Sequence, residues 1–179
     1  MNRARSKLIQ KLSIWLRDIT KFDPKPSRVF EFNSDILNSP FKVNLYLGQF
    51  KGLNGPYIYR ILIRDKKYCG LIKRKFDEFQ IENKLRSKEK KRHISRYMRF
   101  DSKYLYVGSK RDDIVKRISQ HLGYGPARTY SLDMRFWFPK KILISIEVYS
   151  VNLSNDLLVV LEQQMWENLK PMFGKQSGL

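Results

Sequence analysis

The chain has 179 residues, 42% of them hydrophobic, which suffices for one cored domain carrying an arm or an insertion. Its 36 Lys and Arg outnumber 17 Asp and Glu. The formal net charge of +19 points to a polyanionic partner, nucleic acid before an anionic membrane surface. The single Cys69 excludes an intramolecular disulfide and any cysteine-rich zinc site, so a reducing, cytoplasmic compartment is expected.

The opening segment, MNRARSKLIQKLSIWLRDITKF, is basic but has no apolar run long enough for a secretory signal or a membrane span. Leu8, Ile9, Leu12, Trp15, Leu16 and Ile19 fall at helical spacing. They predict an amphipathic helix docked on the domain, a membrane-surface or partner helix being the minor alternative. The prolines of DPKP and NSP mark loops. In FKVNLYLGQF the alternation of Val43, Leu45 and Leu47 predicts a strand. A clearer strand is NGPYIYRILIRDKKY, with Tyr57, Tyr59, Ile61 and Ile63 on one side and Ile58, Arg60, Leu62 and Arg64 on the other.

From Phe76 to Tyr97 the chain is highly charged and lacks a sustained apolar face. Such a run is a solvated or flexible face, or in so basic a domain an electrostatic DNA clamp. Its candidate nucleic-acid contacts are Lys84, Arg86, Lys88, Lys90, Lys91, Arg92, Arg96 and Arg99, joined further on by Lys110 and Arg111. Residues 104–107 form a short strand, and Gly108 and Ser109 a turn. A helix capped by Asp112 or Asp113 follows, with Ile114, Ile118 and Leu122 inward and Gly123 as its stop. Arg117 and His121, at i and i+4, share one of its faces. KILISIEVYSV is a third strand. SNDLLVVLEQQMWENLKP is a closing helix, with Leu157, Leu158, Leu161, Met165 and Leu169 inward and Glu162 at the edge of that stripe.

The expected fold is α+β, a small central, mostly antiparallel sheet flanked by helices. Residues 1–50 form an N-terminal extension of helix and strand. Residues 51–179 form the core, with a basic insertion over about 66–102. Taken one at a time, Tyr57, Tyr59, Tyr104 and Tyr106 are ordinary cross-strand aromatics. Arg117 and His121 are surface residues by the same standard, and Glu162 is a cap or an ion-pair partner. His93 has no evident partner.

Taken together, their order resembles the GIY-YIG nuclease superfamily over about residues 50 to 179. Gly55-Pro56-Tyr57 is similar to the G-I-Y element, with proline in place of isoleucine, and Tyr106-Val107-Gly108 to Y-I-G. The helix with Arg117 and His121 resembles the family's catalytic helix, and Glu162 matches its metal-binding glutamate. Two departures stand out. Tyr57 and Tyr106 are 49 positions apart where the family uses a short hairpin, and Gly174, Lys175 and Gln176 follow Pro171 where many members have an asparagine.

The resemblance implies a metal-dependent DNA endonuclease, plausible as a restriction-type or stand-alone enzyme. Tyr57 would be its general base, Tyr106 would orient water or phosphate, and His121 would relay a proton or contact phosphate; Tyr59 and Tyr104, each two residues from Tyr57 and Tyr106 on the same strand face, are the alternates. Glu162 would hold one Mg2+ or Mn2+, and Arg117 a phosphate oxygen, its planar fork suiting that geometry. DNA is the expected partner, with a homodimer as one route to double-strand cleavage. The alternative is a catalytically weak nucleic-acid-binding protein on the same scaffold.

Overall fold

Alternation along the chain carries directly into the sheet. The computed structural model describes residues 25–53, 55–151 and 154–174, together with isolated positions between 6 and 14. Its strands are β1 (Arg28–Asn33), β2 (Tyr57–Ile63), β3 (Tyr104–Lys110) and β4 (Leu143–Ser150). They lie in the order β1-β4-β2-β3, and every neighbouring pair is antiparallel. The helices are α1 (Pro40–Leu47), α2 (Cys69–Leu85), α3 (Ile114–Ser119) and α4 (Asn155–Leu169). The fold is thus α+β, a four-stranded antiparallel sheet flanked by helices.

The central strand β2 is buried on both faces, and the two faces meet different neighbours. Tyr57, Tyr59, Ile61 and Ile63 join the main core with Val43 and Leu47 of α1, Ile72, Phe76 and Phe79 of α2, and Ile114 and Ile118 of α3. On the other face Ile58 packs with Tyr149, Val151 and Leu158, so α4 covers that side. Arg60 and Glu147 pair there between the Tyr104 and Tyr149 rings.

Three expectations of local structure give way. The segment read as a strand at 41–50 is α1 followed by a short 3-10 turn. Ser39 accepts the Lys42 N–H at 3.4 Å, and Pro40 occupies the first turn, where its missing N–H costs nothing. Val43, Tyr46 and Leu47 are buried at i, i+3 and i+4 while Leu45 is exposed, so the helical period wins over the alternating one. The strand of the N-terminal extension is instead β1, whose Phe30 and Phe32 point inward. Of the apolar stripe expected near the N-terminus, Ile9 and Leu12 are helical and exposed. Leu8, Trp15, Leu16 and Ile19 lie outside the described residues.

The third correction concerns the basic insertion. Residues 69–85 form a helix with Cys69, Ile72, Phe76, Phe79 and Asn83 buried, an apolar face interrupted in sequence by charges on the opposite side. Phe76 sits edge-on to Phe173 at 4.8 Å, Trp137 at 4.9 Å and Tyr97 at 5.1 Å. Beyond it, Asn83 exchanges two 2.9 Å hydrogen bonds with the backbone of Arg92. The insertion is therefore a layer of the core. Among the described residues no helix is long and apolar enough to cross a membrane.

A bulge on β3 sets which of its tyrosines faces the main core. Ile61 faces Tyr106 while Leu62 faces Tyr104, which leaves Leu105 as the extra residue. Leu105 and Tyr106 both join the main core, whereas Tyr104 turns to the opposite face over Arg60. The C-terminal segment then lies against β3. Met172 and Phe173 donate to the carbonyls of Tyr104 and Leu105, and Gly174 to that of Arg96.

Because Phe76 is wholly buried among aromatic rings, Phe76→Ala should cost about 3–5 kcal/mol of folding stability. Urea denaturation measures it. A loss below about 1 kcal/mol would mean that the insertion is an appendage.

Candidate active site

Glycine at 108 lets two phenols share one face of the β2–β3 pair. Tyr59 lies opposite Gly108, and a Cβ there would stand 2.7 Å from both the Tyr59 hydroxyl and the edge of the Tyr106 ring. Without it the two rings stack with centroids 6.2 Å apart.

Arg117 comes from the facing helix. Asp113, at φ +46°, accepts the Lys116 N–H at 3.0 Å and starts α3. One turn on, Arg117 Nε donates to Tyr59 Oη at 3.1 Å and Nη2 to Tyr106 Oη at 3.1 Å. Nη1 donates to Gln120 Oε1 at 3.1 Å and to the Tyr130 carbonyl at 3.0 Å. Every one of these acceptors is uncharged when the phenols are protonated. Among the described residues no carboxylate lies within ion-pair distance of the guanidinium.

His121 stands behind this pair. It lies in the wide turn over 120–124, closed by Gly123 at φ +98°, and is fully buried. Its Nδ1 accepts the Leu132 N–H at 3.2 Å, which assigns the ring hydrogen to Nε2. That N–H donates to Tyr59 Oη at 3.0 Å. Burial, reinforced by the charge of Arg117, holds the imidazole well below its usual pKa, so it is neutral. Burial also raises the pKa of Tyr59 and Tyr106, with Arg117 pulling each the other way.

The carboxylate arrives across the edge strand. Ser109 follows Gly108 on β3, and its hydroxyl donates to Glu162 Oε2 from α4. Burial raises the Glu162 pKa, opposed by Ser109 and by Arg117. Among the described residues no three of His, Cys, Asp and Glu come together, so a cation would rest on this single carboxylate and on water. That donor set fits a hard ion such as Mg2+ or Mn2+, which keeps most of its water shell.

Arg117 forms a wall of two cavities. One, of about 530 Å3, is lined by Ser95, Arg96, Tyr106, Arg117, Tyr130 and Gly174. The other, of about 570 Å3, is more polar and includes Ser109, Lys110, Lys116 and Gln120.

Of the five residues expected in the site, Tyr106, Arg117, His121 and Glu162 gather here, and Tyr57 does not. Its ring lies over Gly55, where a Cβ would come within 2.1 Å, and its buried hydroxyl has no hydrogen-bond partner among the described residues. The phenol that reaches Arg117 is that of Tyr59, two residues along the same face. Tyr104, expected on the Tyr106 face, is turned away by the bulge.

Two basic candidates are also committed elsewhere. Arg92 donates to the Gly125 carbonyl at 3.1 Å, lies 3.7 Å from buried Asp133 and covers the Phe136 ring at 4.1 Å. Arg86 stacks on Phe79 and Phe136. Lys110 pairs with exposed Asp112 at 3.3 Å. Lys84, Lys88, Lys90, Lys91, Arg96, Arg99 and Arg111 are exposed. Ser95, Ser109, Gln120 and Tyr130 join the site unannounced. Gln120 had the i+3 spacing to Arg117 as a signal and Ser109 its place beside Gly108; the other two had none.

Comparisons with models of protein families, with curated proteins and with solved structures return no match for this chain.

The neutral, buried His121 makes stability acid-sensitive. Below about pH 6.5 the unfolded chain takes up a proton that folded His121 refuses, so this contribution is lost as pH falls, at up to ~1.4 kcal/mol per pH unit. Asp133, pushed up to about 6 by burial against the pull of Arg92, acts oppositely and favours the folded state between about pH 6 and 4. Urea denaturation from pH 7 to 5 should therefore show a steeper loss for the wild type than for His121→Asn. Equal slopes would contradict the neutral assignment.

Proposed function

We propose that the protein is a metal-dependent DNA endonuclease of the GIY-YIG kind, hydrolysing phosphodiester bonds in the cytoplasm. The observation that carries the reading is the Arg117 guanidinium, fixed by a phenol from β2 and a phenol from β3 on the wall of two cavities. In this reading the first motif tyrosine is Tyr59, within Tyr57-Ile58-Tyr59, because Tyr59 is the residue paired with Gly108.

The residues divide the work by accessibility. Arg117 has one Nη2 hydrogen beyond its four bonds, and that hydrogen and the charge suit a non-bridging phosphate oxygen. Tyr106 lines the cavity, so its hydroxyl can meet the attacking water. Arg117, donating to the same oxygen, opposes the effect of burial and favours the phenolate, the form that can take a proton from that water. Tyr59 and His121 are fully buried and touch no solvent. They act through Arg117, in a chain from the Leu132 N–H through the imidazole and the phenol to the guanidinium. A magnesium or manganese ion on Glu162 would neutralise the phosphate and the leaving 3′ oxygen.

The exposed Lys84, Lys88, Lys90, Lys91, Arg96 and Arg99, with Lys110 and Arg111, supply the grip on the DNA backbone. A centre of this kind cuts one strand, so a double-strand break requires a second copy or a second event.

A second reading, a nucleic-acid-binding protein with little activity, draws on Gly174 standing where the resemblance places a polar side chain. Supercoiled plasmid separates the two. With Mg2+ or Mn2+ the wild type should nick it, chelator should abolish nicking, and Arg117→Ala and Glu162→Ala should each lower the rate about a hundredfold or more. Salt-sensitive binding without nicking in any metal would overturn the enzyme reading and leave the binding one.

A further inference from the structure

We infer that the 530 Å3 cavity beside Arg117 receives an unpaired nucleobase of the DNA strand, with Tyr130 as its stacking platform. The inference rests on the nuclease reading and names its substrate class: single strands, or junctions that leave nucleotides unpaired beside the cut.

Tyr130 is the starting point. It is 66% exposed, whereas the aromatic rings of the core are sealed. An uncovered ring on a loose loop would mean little, but the backbone here is tied on both sides. The Tyr130 carbonyl accepts from Arg117 at 3.0 Å, and the following Ser131 N–H donates to the His93 carbonyl at 3.3 Å. The ring itself lies 5.2 Å from that of His93. The molecule thus holds a solvent-facing aromatic in a fixed place, next to the cation that would bind the phosphate.

The other walls have the chemistry of a base site. Tyr106 offers a second aromatic surface, Arg96 and Arg117 offer guanidinium groups, and Ser95 offers a hydroxyl. Stacking on aromatic rings and guanidinium planes holds any base without reading its edge. Gly174 brings bare backbone to the wall at φ +122°, a conformation that side chains rarely adopt, and a Cβ there would press on Trp166 Nε1 at 3.3 Å. The volume falls within the usual ~300–1,000 Å3 of small-ligand sites.

Arg117 faces this cavity on one side and the polar cavity of Ser109, Lys110 and Lys116 on the other. A strand whose phosphate sits on Arg117 would lay its base in the first and its sugar-phosphate backbone along the second. A paired base in a duplex would have to leave its stack first, at a cost of a few kcal/mol that an unpaired base does not incur.

Binding in chelator tests this without requiring cleavage. Fluorescence anisotropy would follow labelled oligothymidylate and an abasic strand of equal length, with the wild type, Tyr130→Ala and Tyr130→Trp. The wild type should bind the base-bearing strand more tightly than the abasic one. Tyr130→Ala should lose about fivefold to a hundredfold on the former and nothing on the latter, and Tyr130→Trp should restore the difference. Equal binding of both strands by the wild type, or an equal loss on both in Tyr130→Ala, would overturn the base site. The two proposals fail separately. Plasmid nicking without base dependence sinks only this one, and base dependence without nicking sinks only the nuclease.

Discussion

The organisation of this molecule depends on one half-buried cation held by uncharged oxygens. Arg117 is fixed at four points, and none of the fixing groups is a carboxylate. A guanidinium bonded to Asp or Glu would be electrically spent. Held by phenols, an amide and a carbonyl, it keeps its charge for an incoming anion, while its direction is set as firmly as by a salt bridge. The arrangement needs both tyrosines on one face, the glycine between them and the imidazole behind. The first two follow from the register of β2 against β3, and the third from the turn over 120–124 and its bond from the Leu132 N–H.

Much of this frame was legible in the sequence, and the remainder has identifiable physical causes. Strands β2 and β4, the Asp113-capped helix and the closing helix all announce themselves by period and by capping chemistry. The strand was visible over 104–107, but Gly108 and Ser109, expected as a turn, continue it because they pair with Tyr59 and Ile58, and its bulge, which decides which of Tyr104 and Tyr106 faces the core, left no mark in the sequence. Tyr57 and Tyr59 share a face, so alternation alone cannot say which hydroxyl meets Arg117; the cross-strand pairing with Gly108 does. At 41–50 every second apolar residue mimicked a strand, while Ser39 and Pro40 carried the truer signal of a helix start. In α2 the buried positions are spaced for a helix but diluted by lysines and arginines, whose charge masks the apolar face in the sequence.

That dilution has a structural meaning. Through Phe76 and Phe79 the insertion is bolted to the core, and through the bridges Ile94–Ser131 and Tyr97–Phe173 its far end is laid alongside the site. Ser95 and Arg96 reach the cavity only because of those bridges. The same stretch therefore supplies a packing layer, a wall of the pocket and, on its outer side, exposed positive charge. Arg92 and Arg86 belong to the first of these roles despite their sign, since their guanidinium groups lie over Phe136.

The excursion between β2 and β3 has a consequence for how the chain reaches its native state. Adjacent antiparallel strands usually zip from a tight turn, but here the ends of the pair, Ile63 and Lys103, meet only after an intervening helix and a long irregular stretch. Closing so large a loop costs about 2 kcal/mol more conformational entropy than a four-residue turn. Pairing of this kind lowers the folding rate, because distant contacts must form before they are rewarded. Tyr59 and Tyr106 sit on opposite sides of that seam, so the cluster around Arg117 assembles only once that loop has closed.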